Sequence, residues 1–420
     1  MALHPAGTSL SLPWGGFPVP RASLYLHIPF CAGACDYCDF YSLPAVPGDP
    51  RFSAFITLLL RDTEALLRRF EVRRIPSLYI GGGTPSVLGA SGIGRLLGGL
   101  RSLLPEWPEE LSLEANPESA DAPFLAACRE GGVTRISLGV QTFHECSRRL
   151  VHRVGEGALL PERLDLVRQF FPAAFSADLI TGLPGQDEGT LLVDMERLLL
   201  REPAHVSLYA LSVEAGTPLE KAVRDVPPGP LPPDTAPAEA EPLGLPERDE
   251  ADSLWLLGRN TLEAAGYAQY EVSNFALPGK RSVHNIRYWR MENWLAAGPA
   301  ASATLIDDRT GTGFRYTVRP DLGAYLDRPG PLPPPIDTED LDRLTLMRES
   351  CLMGFRYIEG PDRELFKRRF GRDPEDCLPR TFSRWRQRGL MDPGKTALNR
   401  EGLLFLNPFL EDVFEELALF

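Results

Sequence analysis

Leu24-Tyr25-Leu26-His27-Ile28-Pro29-Phe30-Cys31-Ala32-Gly33-Ala34-Cys35-Asp36-Tyr37-Cys38-Asp39-Phe40-Tyr41 places three cysteines on one loop, spaced C-x₃-C-x₂-C behind a short strand that alternates through Leu24, Leu26 and Ile28. A [4Fe–4S] cluster takes four thiolates and a structural zinc site takes four ligands, so this trio leaves one metal position for something other than a nearby cysteine. Phe40 stands where a further local ligand would close the site. A disulfide framework wants an even number of cysteines in an oxidising compartment, and a zinc knuckle wants a second pair at regular distance. Cys128, Cys146, Cys351 and Cys377 are scattered and read as reduced, small core residues. The spacing therefore predicts a metal cluster on Cys31, Cys35 and Cys38 with one open, reactive corner.

Length and composition narrow the rest. The 420 residues are enough for two or three domains, and 43% hydrophobic content is that of an ordinary globular protein. A net charge of −13 disfavours nonspecific binding to nucleic acid or an anionic membrane, which need clustered Lys and Arg. The basic stretch Arg363 to Arg388 is interleaved with Asp362, Glu364, Asp373, Glu375 and Asp376, and reads as solvated helix faces. No run approaches the ~18 apolar residues of a membrane span and nothing resembles a signal peptide, so the expected location is cytoplasmic.

Along the chain, a helix is expected over Phe52–Phe70, followed by strand-like runs at Ser77–Ile80, Leu111–Glu114, Arg135–Gly139, Phe175–Ile180 and His205–Leu211, each separated by helical pattern. With the strand before Cys31 this makes six β-α units, hence α/β with a parallel sheet closed or half-closed as a barrel. The polar motifs fall at the ends of these strands, on the rim where such barrels build their sites. Five segments are expected: a tail over 1–21, a barrel core over 22–221, a Pro-rich insertion over 222–250, a barrel-completing segment over 251–328 and a mainly helical region over 337–420. The insertion carries eight prolines from Pro227 to Pro246 and too few large apolar residues to fold alone. A helix is expected near Ser253–Ala265, with a strand at Gln269–Asn274. Phe382–Arg388, Ala397–Phe405 and Val413–Leu417 read as a small winged-helix-like unit, whose Glu411, Asp412, Glu415 and Glu416 argue against DNA reading.

The cysteine trio with Tyr37 between its last two members resembles the signature of the radical S-adenosylmethionine (SAM) superfamily. The flanking Y-x-H-I-P-F-C and C-D-F narrow the resemblance to the branch holding oxygen-independent coproporphyrinogen III oxidase and related haem chaperones, and so to a partial (β/α)₆ barrel. The resemblance implies that SAM chelates the open iron through its amino and carboxylate groups and is cleaved into methionine and a 5′-deoxyadenosyl radical by an electron from the cluster. Gly81-Gly82-Gly83-Thr84-Pro85 is neither of the familiar phosphate-binding glycine patterns and resembles the family loop that holds the SAM amino group. By the same resemblance Glu114 of E-x-N-P, Gln141, Arg153 and Asp178 lie on the cofactor, with Tyr25 and Tyr37 packed against it. Val151-His152-Arg153-Val154-Gly155 departs from the usual L-G-R-x-H, and Thr181 replaces a tyrosine; both bear on cofactor cleavage and leave the cluster untouched.

His284-Asn285-Ile286-Arg287-Tyr288-Trp289 is similar to the H-N-x-x-Y-W of the chaperone branch, which is associated with haem. Physically, His284 offers an axial nitrogen, and Tyr288 and Trp289 offer flat apolar faces. The oxidase generally has a fourth cysteine at position 40 and a longer N-terminal extension. The expectation is a haem chaperone with haem, a haem-accepting protein and an electron donor as partners. The alternatives are a decarboxylase of coproporphyrinogen III and a cluster-bearing protein with a degenerate cofactor site.

Overall fold

Six strands, β1 (Ser23–Ile28), β2 (Ser77–Gly82), β3 (Glu110–Ala115), β4 (Arg135–Gln141), β5 (Phe175–Thr181) and β6 (His205–Ala210), pair in parallel and in sequence order. The computed structural model describes residues 17–224, 244–329 and 333–419. Along each strand one set of alternate residues is apolar and joins the helix-side core, as Leu24, Leu26 and Ile28 do on β1. The other set is largely polar and meets its neighbours inside the barrel: Ser23 with Ser77 at 2.8 Å, Tyr79 with Glu114 at 2.7 Å, Ser137 with Asp178 at 3.1 Å and Ser176 with His205 at 2.7 Å.

Parallel neighbours need crossovers, and helices Arg51–Arg69, Gly89–Leu103, Ala122–Glu130, Leu160–Phe170 and Glu188–Leu199 supply them. The first buries Phe52, Phe55, Ile56, Leu59, Thr63 and Leu67, residues at helical spacing. The last starts at a capping box between Asp187 and Thr190. Beyond β6 the sheet adds β7 (Asn274–Ala276), antiparallel, which pairs in turn with Ala268–Gln269. On the other side of β1 lie β8 (Trp294–Ala297), parallel to it, and then antiparallel β9 (Ser302–Asp307), β10 (Thr312–Val318) and β11 (Ile336–Leu341). The fold is thus a partial (β/α)₆ barrel whose sheet is lengthened at both edges, followed by helices.

Several expectations shift. The strand expected over Gln269–Asn274 is a tight hairpin, turned at Glu271–Ser273, where the Glu271 carboxylate accepts the Ser273 N–H at 3.1 Å. Residues 225–243 of the Pro-rich stretch lie outside the described residues, and its two ends are helical, within Pro218–Arg224 and Arg248–Ala264. Val19, within the tail expected over 1–21, is buried, and its N–H donates to the Phe70 carbonyl at 2.7 Å. The winged-helix-like unit has helices Pro379–Gln387 and Leu406–Leu417 around the buried Trp385, with a wing reduced to the single bridge Met391–Leu398. Two of its acids are structural: Glu416 accepts the N–H groups of Arg380 and Thr381, and Asp412 accepts from the Trp385 indole.

The barrel floor is sealed by the short helix Val283–Trp289. Glu110, at the start of β3, accepts the N–H groups of Val283 and His284 and the Ser282 hydroxyl, and pairs with Arg135 at the start of β4. Access to the lumen is therefore from the rim. Beside the C-terminal end of β1, Gly298 comes so close that a Cβ would stand 2.3 Å from the His27 carbonyl oxygen, at a φ of +101°. Two residues on, Ala300 holds a φ of +68° with a side chain that disfavours it. Ala300→Gly should stabilise the protein by roughly 0.5–1 kcal/mol, the relief of left-handed strain less the added unfolded-state entropy; an unchanged or lower urea midpoint contradicts this.

Candidate functional site

The cysteine loop leaves β1 at Pro29 and is pinned on several sides. Phe30–Cys31 pairs with Leu43–Pro44. The Asp36 N–H donates to the Val151 carbonyl at 3.0 Å, and its carbonyl accepts from the Leu219 N–H at 2.9 Å. The Asp36 carboxylate lies 2.7 Å from His152 Nδ1, so the residue that departs from the family pattern helps tie the loop down. Farther on, His27 Nε2 lies 2.9 Å from the Tyr41 carbonyl, and the Tyr41 hydroxyl accepts the Leu322 N–H at 2.9 Å.

This loop and the barrel rim enclose one cavity of about 500 Å³. Cys31, Cys35, Cys38, Tyr37, Gly82, Gly83, Thr84, Glu114, Gln141, Arg153 and Asp178 all line it. Tyr25 does not: it lies a layer below, its hydroxyl 3.1 Å from His27 Nδ1 and its ring stacked on Tyr79. Gly83 is needed because a Cβ there would stand 2.5 Å from the Phe30 carbonyl oxygen, and Gly82 has a φ of +116°. Gln141 also has a positive φ, +67°, at the register shift where β4 meets β5. That bulge turns its side chain to the cavity, strain of a kind that collects at functional sites.

Glu114 has its two oxygens engaged by the Tyr79 hydroxyl at 2.7 Å and the Gly82 N–H at 3.2 Å. Burial nevertheless pushes its carboxyl up to about 7, with Asp178 adding to the rise. Asp178, expected at the end of its strand, sits mid-strand in β5; burial raises it to about 6 against the donors Ser207 and Ser137. Two carboxyls facing one cavity and short of positive partners suit an ammonium group or a diol.

Asn116, quoted in E-x-N-P without a role, joins the two sides. Its carboxamide takes Arg153 Nη2 on Oδ1 at 2.9 Å and reaches Thr84 Oγ1 from Nδ2 at 3.0 Å. Thr84 Oγ1 is 3.0 Å from the Cys31 sulfur, and Arg153 Nη1 is 3.6 Å from the Cys35 sulfur. The donor set suits an iron–sulfur cluster: three thiols on one wall of a cavity, Cys31 and Cys35 with side-chain partners and Cys38 with the Phe40 backbone, beside a glycine cradle. Among the described residues no three His, Cys, Asp or Glu side chains converge as a single ion requires.

The H-N-x-x-Y-W residues are elsewhere. His284, expected to present an open axial nitrogen, is 1% exposed in the barrel floor. Its Nδ1 lies 2.9 Å from Ser77 Oγ, its ring packs against Tyr79 and Tyr288, and burial pushes it down to about 3. Nε2 is buried and has no partner among the described residues. Tyr288 is wedged between His284 and Trp294, and Trp289 packs beside Tyr270 and Tyr357. The platform for a porphyrin read from these three residues is therefore folded inward, because the short helix spends its aromatic side on closing the barrel.

A parallel barrel that carries a three-cysteine loop at its rim, with a glycine turn and carboxylates around it, defines a radical SAM protein, and residues 25–198 match the Radical SAM superfamily. The chain is 34% identical over 352 residues to the heme chaperone HemW of Lactococcus lactis, covering 83% of this chain and 85% of that protein. It is 33% identical to the heme chaperone HemW of Escherichia coli over 94% of this chain and 98% of that one. The mouse mitochondrial radical S-adenosyl methionine domain-containing protein 1 is 35% identical over 72% of this chain, which spans 65% of that relative's length. The chain belongs to the radical SAM haem chaperone family, which is akin to the oxygen-independent coproporphyrinogen III oxidases. Coproporphyrinogen III oxidase (HemN) of Escherichia coli shares the fold, with a TM-score of 0.76 at 20% identity over 94% of this chain and 90% of that one. Radical SAM membership implies a [4Fe–4S] cluster and SAM.

The raised Glu114 carboxyl makes a pH prediction. The folded chain keeps a proton up to about 7 that the unfolded chain releases near 4.5, so this part of the stability is whole below pH 4.5 and is lost as pH rises to about 7. Glu114→Gln removes the loss, and the ligand-free variant should be the more stable at pH 8 by up to about 3 kcal/mol. Equal urea midpoints at pH 8 contradict it.

Proposed function

We propose that this protein is a haem chaperone: it binds haem, holds a [4Fe–4S] cluster on Cys31, Cys35 and Cys38 with SAM at the open iron, and passes haem to an acceptor protein. The observation that carries the reading is the near end-to-end match to heme chaperones, which includes the region of His284 and the C-terminal helices as well as the cluster loop. When bound, the cluster supplies a single electron to the sulfonium of SAM. The chain's own residues do the holding. Gly82, Gly83 and Thr84 bring the backbone close to the ligand; Glu114 and Asp178 offer carboxylates to its ammonium and ribose; Tyr37, on the cysteine loop, packs against the apolar cluster of Val151, Ile180 and Leu183, and Arg153 stays beside Cys35. An ammonium bound beside Glu114 favours the carboxylate form, so that binding releases the Glu114 proton to solvent.

His284 is the candidate haem ligand, and haem on its Nε2 requires the helix Val283–Trp289 to move away from Glu110 and Ser77, since both now hold it. Neither a membrane span nor nucleic acid enters the reading: among the described residues no helix is long and apolar enough to cross a membrane. The second reading, decarboxylation of coproporphyrinogen III, is favoured by the shared fold alone.

Two experiments test the proposal. In an anaerobic haem titration of the cluster-reconstituted protein, absorption should saturate near one haem per chain, and His284→Ala should weaken binding at least about tenfold, the order expected for an axial ligand whose loss costs ~1.4 kcal/mol or more. No saturable binding, together with carbon dioxide release from coproporphyrinogen III, transfers the assignment to the oxidase. Cys35→Ala should remove the iron–sulfur absorption; an unchanged spectrum contradicts the cluster assignment.

A further inference from the structure

The direction of the hydrogen bonds around Asn116 can be worked out from what each group is able to give. A guanidinium only donates, so Arg153 Nη2, 2.9 Å away, fixes the facing carboxamide atom as Oδ1. The other end, Nδ2, then donates to Thr84 Oγ1 at 3.0 Å. With its oxygen accepting there, the Thr84 hydroxyl has its proton free for its other neighbour, the Cys31 sulfur at 3.0 Å. Arg153 meanwhile points Nη1 at the Cys35 sulfur. One carboxamide thus holds the Arg153 donor in place and leaves the Thr84 hydroxyl free to donate, so that two separate side chains face two separate cysteines.

Its mounting is rigid. The Asn116 N–H donates to Ser86 Oγ at 3.0 Å, Ser86 contacts Ser119 at 2.6 Å, and the Asn116 carbonyl accepts the N–H groups of Ser119 and Ala120 at 3.1 and 3.0 Å. Gly139 leaves the room: a Cβ there would stand 2.9 Å from Asn116 Oδ1 and 3.2 Å from Arg153 Nη2.

We propose that Asn116 is a positioning residue that directs the Thr84 hydroxyl at Cys31 and the Arg153 guanidinium at Cys35, and so sets the electron affinity of the cluster those cysteines hold. The inference rests on the cluster assignment above. Hydrogen bonds onto cluster thiolates raise a cluster's reduction potential, and groups behind the ligands act by orienting the donors.

Asn116→Asp separates this role from packing, because it has the same shape and keeps Arg153. A carboxylate accepts the Thr84 proton, so the hydroxyl turns away from Cys31. Thr84→Val deletes the same donor with little change of volume. Midpoint potentials are measured on reconstituted wild type, N116D, T84V and the double variant, with iron and sulfide content read in parallel. The expected result is full cluster content in all four, potentials shifted to more negative values in both single variants, and no further shift in the double. N116D at the wild-type potential, or additive shifts, overturns the inference while the cluster assignment stands. Failure of the wild type to assemble a cluster overturns both.

Discussion

The half-buried Arg153 guanidinium holds three acceptors that belong to different parts of the chain: the Gly139 carbonyl at 2.6 Å, the Asn116 carboxamide and the Cys35 sulfur. Because Arg presents its donors in a fixed planar fork, these three are locked into one relative geometry. Strand β4, the turn after β3 and the cysteine loop are thereby referred to a single group. The rest of the site hangs from it, through Asn116 to Thr84 and Cys31, and through the loop Val151–Val154 to Asp36. Losing such a group strands its acceptors in a low-dielectric interior, which is costlier than the bonds themselves.

The two ends of the barrel serve opposite purposes. At the rim, polar side chains face a cavity and keep unsatisfied capacity for a ligand. At the floor most polar groups are spent on each other, Glu110 on a helix start, Ser77 on His284 Nδ1, His205 on Ser176 and Tyr270, with His284 Nε2 left unpartnered among the described residues. Tyr79 spans the distance, with its hydroxyl on Glu114 and its ring against His284. The residues associated with SAM and those associated with haem are therefore separated by the thickness of one aromatic side chain. Phe40, 66% exposed beside Cys38, leaves the cavity mouth with an apolar lip.

Much of this was legible because it is local. The cysteine spacing, the glycine turn and the acids Glu114 of β3 and Asp178 of β5 are each contained in a few residues, and strand alternation puts them on one cavity. What was missed depends on contacts between distant positions. Asn116 is inconspicuous until Thr84 and Arg153 arrive from 32 and 37 residues away. The four-residue β8 lies between a tight turn and Gly298-Pro299, too short to show a period. A histidine among aromatics gives the same sequence pattern whether it faces solvent or a barrel floor, so the position of His284 is not legible locally. The antiparallel hairpin at Glu271 hid inside a run that looked like one strand.

The central claim is that three cysteines and a rim of directed donors hold a cluster with one iron left for SAM. Electron–nuclear double resonance on the reduced, reconstituted protein with SAM labelled at its amino nitrogen and carboxylate oxygen reads that contact directly. The account predicts hyperfine coupling from both labels, lost in Glu114→Ala as SAM binding fails. A reduced cluster spectrum that does not change on addition of labelled SAM contradicts it.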